Sequence, residues 1–198
     1  EWSEKPELHL FPHWNWTPGE KIDVWAYYNH ADEVELFLNG ESLGKKSKTD
    51  TVLHAMWPEV VFEPGTLEVV SYKNGKEVAR DKKVTAGEPV RLQITLDRQT
   101  ISADGYDLCY ATIEALDSNG IPVPTADNML SFSVEGDGEL FGVDNGNAAD
   151  TMSLKGDKKA LFSGKALAVV RSIKDQPGTA TLSVSGLGST VKVNISTK

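Results

Sequence analysis

Hydrophobic and polar residues alternate with a period of two along much of this chain. Ile22-Asp23-Val24-Trp25-Ala26-Tyr27, Val34-Glu35-Leu36-Phe37-Leu38 and Leu67-Glu68-Val69-Val70-Ser71-Tyr72 all follow that rhythm. A period of two places every second side chain on one face, the mark of a half-buried strand. Asn-Gly stands at 39–40, 74–75, 119–120 and 145–146. Both residues tolerate the positive φ of a type I′ turn, so between strand-like runs they signal hairpins. The pattern predicts that 33–38 pairs with 41–46, and 66–73 with 76–85. It predicts further strands near 90–97, 107–117, 129–135, 138–143, 165–173, 179–185 and 190–196. Turns every 8–12 residues or so between strands suit β-sandwiches. No segment carries an apolar helical stripe; Ala148-Ala149-Asp150-Thr151-Met152 offers one short helical turn at most.

Composition divides what the periodicity does not. All five Trp (Trp2, Trp14, Trp16, Trp25, Trp57) and all four His (His9, His13, His30, His54) precede residue 60. That asymmetry predicts two domains, 1–86 and 87–198, joined at Thr85-Ala86-Gly87-Glu88-Pro89, where Gly and Pro interrupt two strand-like runs. Charge does not split the same way: 15 acids and 10 bases precede residue 87, and 14 and 10 follow. The net charge of -9, with no basic stripe, argues against nucleic acid or anionic lipid as a partner. No apolar run approaches the roughly 18 residues of a membrane helix, so no membrane insertion is expected. Most carboxylates fall in turns or at alternating strand positions, which predicts solvated acids and only gradual loss of stability in acid. The chain begins with Glu1 rather than Met and shows no signal peptide, and reads as a piece of something longer.

Few residues here suggest chemistry. In Phe11-Pro12-His13-Trp14-Asn15-Trp16, an extended backbone would put Trp14 and Trp16 on one side. Indole faces stack on the C–H faces of sugars, and their N–H groups bond hydroxyls. The favoured reading of this segment is an anchor packed against a sandwich or an adjacent domain; the alternative makes His13, Trp14 and Trp16 candidates for carbohydrate contact or for the wall of a neighbouring active site. Trp25, mid-strand beside Tyr27, reads as a core residue. Trp57 precedes Pro58, which suits a strand edge or end. The His residues lack a ligand set, so no zinc site is expected. Gly136-Asp137-Gly138-Glu139 and Asp144-Asn145-Gly146-Asn147 read as turns, with a weak calcium site as the alternative. Cys109, in a strand-like run far from any His, reads as an inert buried thiol. Asn194-Ile195-Ser196 is a formal glycosylation sequon. No nucleophile elbow, phosphate cradle or cofactor motif is present, and no catalytic residue or cofactor is assigned.

Several motifs together resemble a known family. His9-Leu10-Phe11-Pro12-His13-Trp14-Asn15-Trp16, followed by Ile22-Asp23-Val24-Trp25, is similar to the segment after the catalytic barrel in one group of glycoside hydrolase family 2 enzymes, mostly β-galactosidases. Glu33-Val34-Glu35-Leu36-Phe37-Leu38-Asn39-Gly40-Glu41-Ser42-Leu43-Gly44 resembles their hairpin, and Glu63-Pro64-Gly65-Thr66-Leu67 with Tyr72-Lys73-Asn74-Gly75-Lys76 resembles the strands that follow. Ile101-Ser102-Ala103-Asp104-Gly105, Asp117-Ser118-Asn119-Gly120-Ile121-Pro122-Val123-Pro124, Val143-Asp144-Asn145-Gly146-Asn147 and Phe162-Ser163-Gly164 resemble the next module. The resemblance covers nearly the whole chain.

The resemblance implies an all-β fold of two immunoglobulin-like β-sandwich domains in tandem, the second invasin-like. It implies that the catalytic glutamates belong to a barrel preceding this chain, and that Glu1 to Pro6 is the tail of the linker from that barrel. The expected function is then that of non-catalytic C-terminal modules bracing or extending a β-galactosidase-like parent, with its barrel as partner in cis. The alternative is a carbohydrate-binding module that takes a galactoside or a plant or host glycan. A stalk from a surface adhesin fits two unlike modules poorly, and a self-contained hydrolase lacks its residues. The family implies a periplasmic or extracellular location.

Overall fold

The computed structural model describes residues 4–49 and 53–198. Trp2 and the first three residues of the expected linker tail lie outside them. The chain forms two compact units, the first ending at Thr85 and the second beginning at Ala86. Every regular element among the described residues is a strand.

Among the described residues the first unit is a seven-stranded antiparallel sandwich. One sheet has the order β1 (Leu8–Phe11), β2 (Lys21–Tyr28), β5 (Ala55–Val61). The other has the order β4 (Glu41–Lys46), β3 (Glu33–Leu38), β6 (Thr66–Lys73), β7 (Lys76–Val84). Inward-facing Leu10, Val24, Ala26, Val34, Leu36, Leu67 and Val69 meet between the sheets in one apolar core. Both predicted hairpins form, Leu38 opposite Glu41 and Lys73 opposite Lys76. Their turns have positive φ at both central residues, 52° and 88° at Asn39-Gly40, 51° and 73° at Asn74-Gly75, as type I′ geometry requires. The alternation did not predict β1 or β5. Trp57 lies within β5 rather than at its end, and Pro58 is tolerated because β5 is an edge strand.

The second unit is a nine-stranded sandwich. One sheet runs β12 (Gly138–Asp144), β14 (Lys165–Ser172), β10 (Leu108–Leu116), β8 (Arg91–Leu96). The other runs β13 (Lys158–Ala160), β11 (Met129–Gly136), β15 (Gly178–Gly186), β16 (Ser189–Thr197), β9 (Thr100–Ile101), with β9 parallel to β16. Short β9 and β13 carry too few residues to show a period. Cys109 is fully buried in β10, donates to the Arg98 carbonyl at 3.1 Å, and burial pushes its thiol up to about 11. It is the inert thiol expected.

The segment 148–152 contains no helix. Asp150 ties it into turns instead, its amide donating to the Asn147 carbonyl and its carboxylate accepting the Met152 amide. Two charged side chains of this unit, Lys159 and Asp117, are buried. Lys159 is 1% exposed, with Nζ donating to Asp150 at 3.2 Å and to the Met152 carbonyl at 3.0 Å. Asp117 is 2% exposed and accepts the amides of Gly87, Asn119 and Ile121. The acids of the calcium-like loops are occupied in the same manner. Asp137 accepts the Thr179 amide, and Asp144 accepts those of Asn145 and Gly146. Turn chemistry accounts for these acids.

Candidate functional site

The outer face of the β1-β2-β5 sheet carries large aromatic side chains where a solvated sheet face is ordinarily polar. Strand β2 reads exposed, buried in strict alternation from Lys21 to Tyr28. Ile22, Val24, Ala26 and Tyr28 point inward, so Lys21, Asp23, Trp25 and Tyr27 point out. Trp25 pairs with Phe11 on β1, which lies on the same outer face. Phe11, Trp25 and Tyr27 are 42%, 39% and 44% exposed. The Phe11 and Tyr27 rings meet edge to face at 5.9 Å. His9 abuts Phe11 at 4.2 Å, and His54 lies 5.5 Å from Tyr27 and 6.0 Å from Trp25.

Phe11, Trp25 and Tyr27 line an open cleft of about 700 Å³ together with Trp16. Its polar rim comes from a bulge. Pairing of β2 with β5 passes from Ile22–Val60 to Val24–Trp57, so that Pro58 and Glu59 stand opposite Asp23 alone and β5 carries one extra residue. Glu59 adopts a φ of 52°, and its amide donates to Asp23 Oδ1 at 3.0 Å. Its carboxylate pairs with Lys21 Nζ at 3.3 Å. The acids on the cleft are thus tied to their own backbone and to a lysine. Among the described residues no His, Cys, Asp and Glu group is arranged to hold a metal.

Residues 92–193 match the model of glycoside hydrolase family 2 C-terminal domain 5. Residues 19–79 match a domain of unknown function (DUF4982). The chain belongs to glycoside hydrolase family 2. It is 49% identical, over 188 residues, to the β-galactosidase BoGH2A of Bacteroides ovatus, covering 95% of this chain and 22% of that protein. A crystal structure of a family 2 member from Bacteroides cellulosilyticus DSM 14838 superimposes with a TM-score of 0.90 at 35% identity, over 98% of this chain and 29% of that one. A β-glycosidase from Bacteroides vulgatus gives 0.89 at 36% identity, over 98% and 25%. The chain spans about a fifth of the length of the curated relatives it matches. The expected family and the all-β, immunoglobulin-like fold class both hold.

The three candidates from the family 2 motif part company in the structure. The segment after β1 is irregular, so Trp14 and Trp16 do not share a face. Trp14 is 1% exposed, packed edge-on to Phe62 at 5.2 Å, its indole N–H donating to the Glu63 carbonyl at 3.0 Å. It serves as an anchor within the first core. His13 is half-buried and stacks on Trp16 at 4.5 Å with 17° between planes, and burial holds its pKa below the usual histidine value. The Trp16 indole donates to the His13 carbonyl at 2.8 Å. Of the three, Trp16 alone lines the cleft. Trp25 is the larger reversal, an exposed ring where a core residue was expected. The phase of β2 held the signal: Trp25 and Tyr27 share parity with Lys21 and Asp23, and charge belongs outside.

Proposed function

We propose that this chain forms non-catalytic accessory modules of a β-galactosidase-like family 2 enzyme, bracing or extending a catalytic barrel in cis. The domains are two immunoglobulin-like modules, 1–86 and 87–198. The observation carrying this reading is the state of the cleft carboxylates. Hydrolysis of a glycoside by paired acids needs one to protonate the leaving group and another to attack or activate water. Here Asp23 is held by a backbone amide and Glu59 by a lysine. The relative named β-galactosidase supports the parent activity, and such a parent, acting on external glycans, resides in the periplasm or outside the cell.

The test is turnover. The 198-residue chain is incubated with p-nitrophenyl β-galactoside and p-nitrophenyl β-glucuronide, and nitrophenolate release is followed. No release above buffer is expected; steady turnover that scales with protein concentration sinks the reading. A second reading, glycan contact by the first unit, draws its support from the exposed rings of the cleft.

A further inference from the structure

From the aromatic face of β1-β2-β5 we infer a binding site for the ring of a neutral hexopyranoside. The site deepens the accessory reading and rests on it, since the ligand is held and not cleaved.

Three observations carry the inference. First, solvent-exposed aromatic surface costs free energy and is retained where something covers it. Trp25, Tyr27 and Phe11 are each about two-fifths exposed and contiguous through their register and ring contacts. Second, the face is amphipathic in the manner of a sugar. A pyranose offers C–H groups on one face and hydroxyls around its edge. Aromatic rings cover the first. For the second, the Asp23 and Glu59 carboxylates and the Lys21 ammonium line the same cleft. The Trp25 indole N–H and the Tyr27 hydroxyl make no hydrogen bond among the described residues, so both are available to hydroxyls. A cleft of about 700 Å³ accommodates one or two sugar rings.

Third, charge selects among sugars. Two carboxylates, Asp23 and Glu59, face a single ammonium, Lys21, so the rim carries one net negative charge, on a chain of net charge -9. An anionic uronide meets repulsion there and a neutral galactoside does not. This separates two ligand types that the names of the family relatives, β-galactosidase and β-glucuronidase, leave side by side.

The test is an NMR titration of the full 198-residue chain with methyl β-D-galactopyranoside, and separately with methyl β-D-glucuronide. A saturable shift of the Trp25 indole N–H is expected, with saturation transfer from protein to the ring C–H protons of the galactoside. Trp25→Ala and Tyr27→Ala are each expected to weaken binding about three- to tenfold, the equivalent of one lost ring contact. Both variants keep the wild-type melting temperature. The glucuronide is expected to bind more weakly, and Asp23→Asn narrows that gap. No saturable shift up to about 50 mM galactoside, beyond the millimolar range of single-sugar sites, overturns the proposal. Equal binding by Trp25→Ala and Tyr27→Ala overturns it too, as does preference for the glucuronide. Shifts of the same resonances with protein concentration alone assign the face to a second copy and overturn it. Turnover without saturable binding at this face is a separate result, and defeats the accessory reading.

Discussion

Replacing Trp14 should strongly destabilise the first unit, while replacing Trp25 should leave its stability nearly unchanged. Trp14 is 1% exposed and packs against Phe62, with its indole N–H on the Glu63 carbonyl. Truncating a fully buried Trp to Ala costs about 3–5 kcal/mol. A unit ending at residue 85 has a total stability of about 4–13 kcal/mol at typical values per residue. Trp14→Ala therefore removes about a quarter or more of what holds the unit together. Trp14→Phe is the graded version. It keeps most of the ring and strips the donor from the Glu63 carbonyl, at about 1–3 kcal/mol. With a urea slope of about 1 kcal/mol/M, its midpoint should fall by about 1–3 M. Trp25→Ala removes a ring already 39% exposed and should stay within about 0.5 kcal/mol of the parent. The assay is urea unfolding followed by tryptophan fluorescence. Every Trp precedes residue 60, so that signal reports the first unit alone. A Trp14→Ala variant with the parent midpoint, or a Trp25→Ala variant that unfolds, would falsify the assignment of anchor and exposed ring.

Two further predictions concern the second unit, followed by far-UV circular dichroism. Lys159→Met leaves the Met152 carbonyl without its buried donor and should cost about 1–3 kcal/mol, with faster amide exchange across 145–152; unchanged stability contradicts a structural role for the ammonium. Asp117 is held below the ordinary aspartate value of 3.8, first by the Gly87 amide and then by that of Ile121. A depressed folded pKa contributes stability that is complete above the unfolded value and lost as pH falls through the folded one. Asp117→Asn should therefore be less stable than the parent at pH 7, with the gap closing below about pH 4; an equal gap at both pH values refutes the sign.

Much of the fold was legible along the chain. At Asn39-Gly40 and Asn74-Gly75 the turn residue, the positive φ and the flanking alternation all agree, and the strands follow. Local signals suffice there because a type I′ turn sets the register of the strands it joins. Strands without such support were harder to find. Strand β13 is three residues long and pairs with β11, some 30 positions earlier in the chain, so its reason for being extended is not local. Asn145-Gly146 shows the same limit. Gly146 has a φ of 74° but Asn145 does not join it at positive φ. Instead the Asn145 side chain bonds Asp150 and the Ala160 carbonyl.

The sequence by itself determined the all-β class, two hairpins with their register, and the family to which this chain belongs. Period and turn chemistry are properties of neighbouring residues, and motifs are read directly. Only the tertiary structure decided which aromatic rings face solvent. In β2 both parities carry apolar residues, Ile22, Val24 and Ala26 on one, Trp25 and Tyr27 on the other. The second sheet decides between them by covering the aliphatic side. Trp14 is drawn inward in the same way, because the Glu63 carbonyl and the Phe62 ring, almost 50 residues away in sequence, form the pocket it fills. Burial is a relation between distant segments, and alternation alone does not say which face the other sheet will meet.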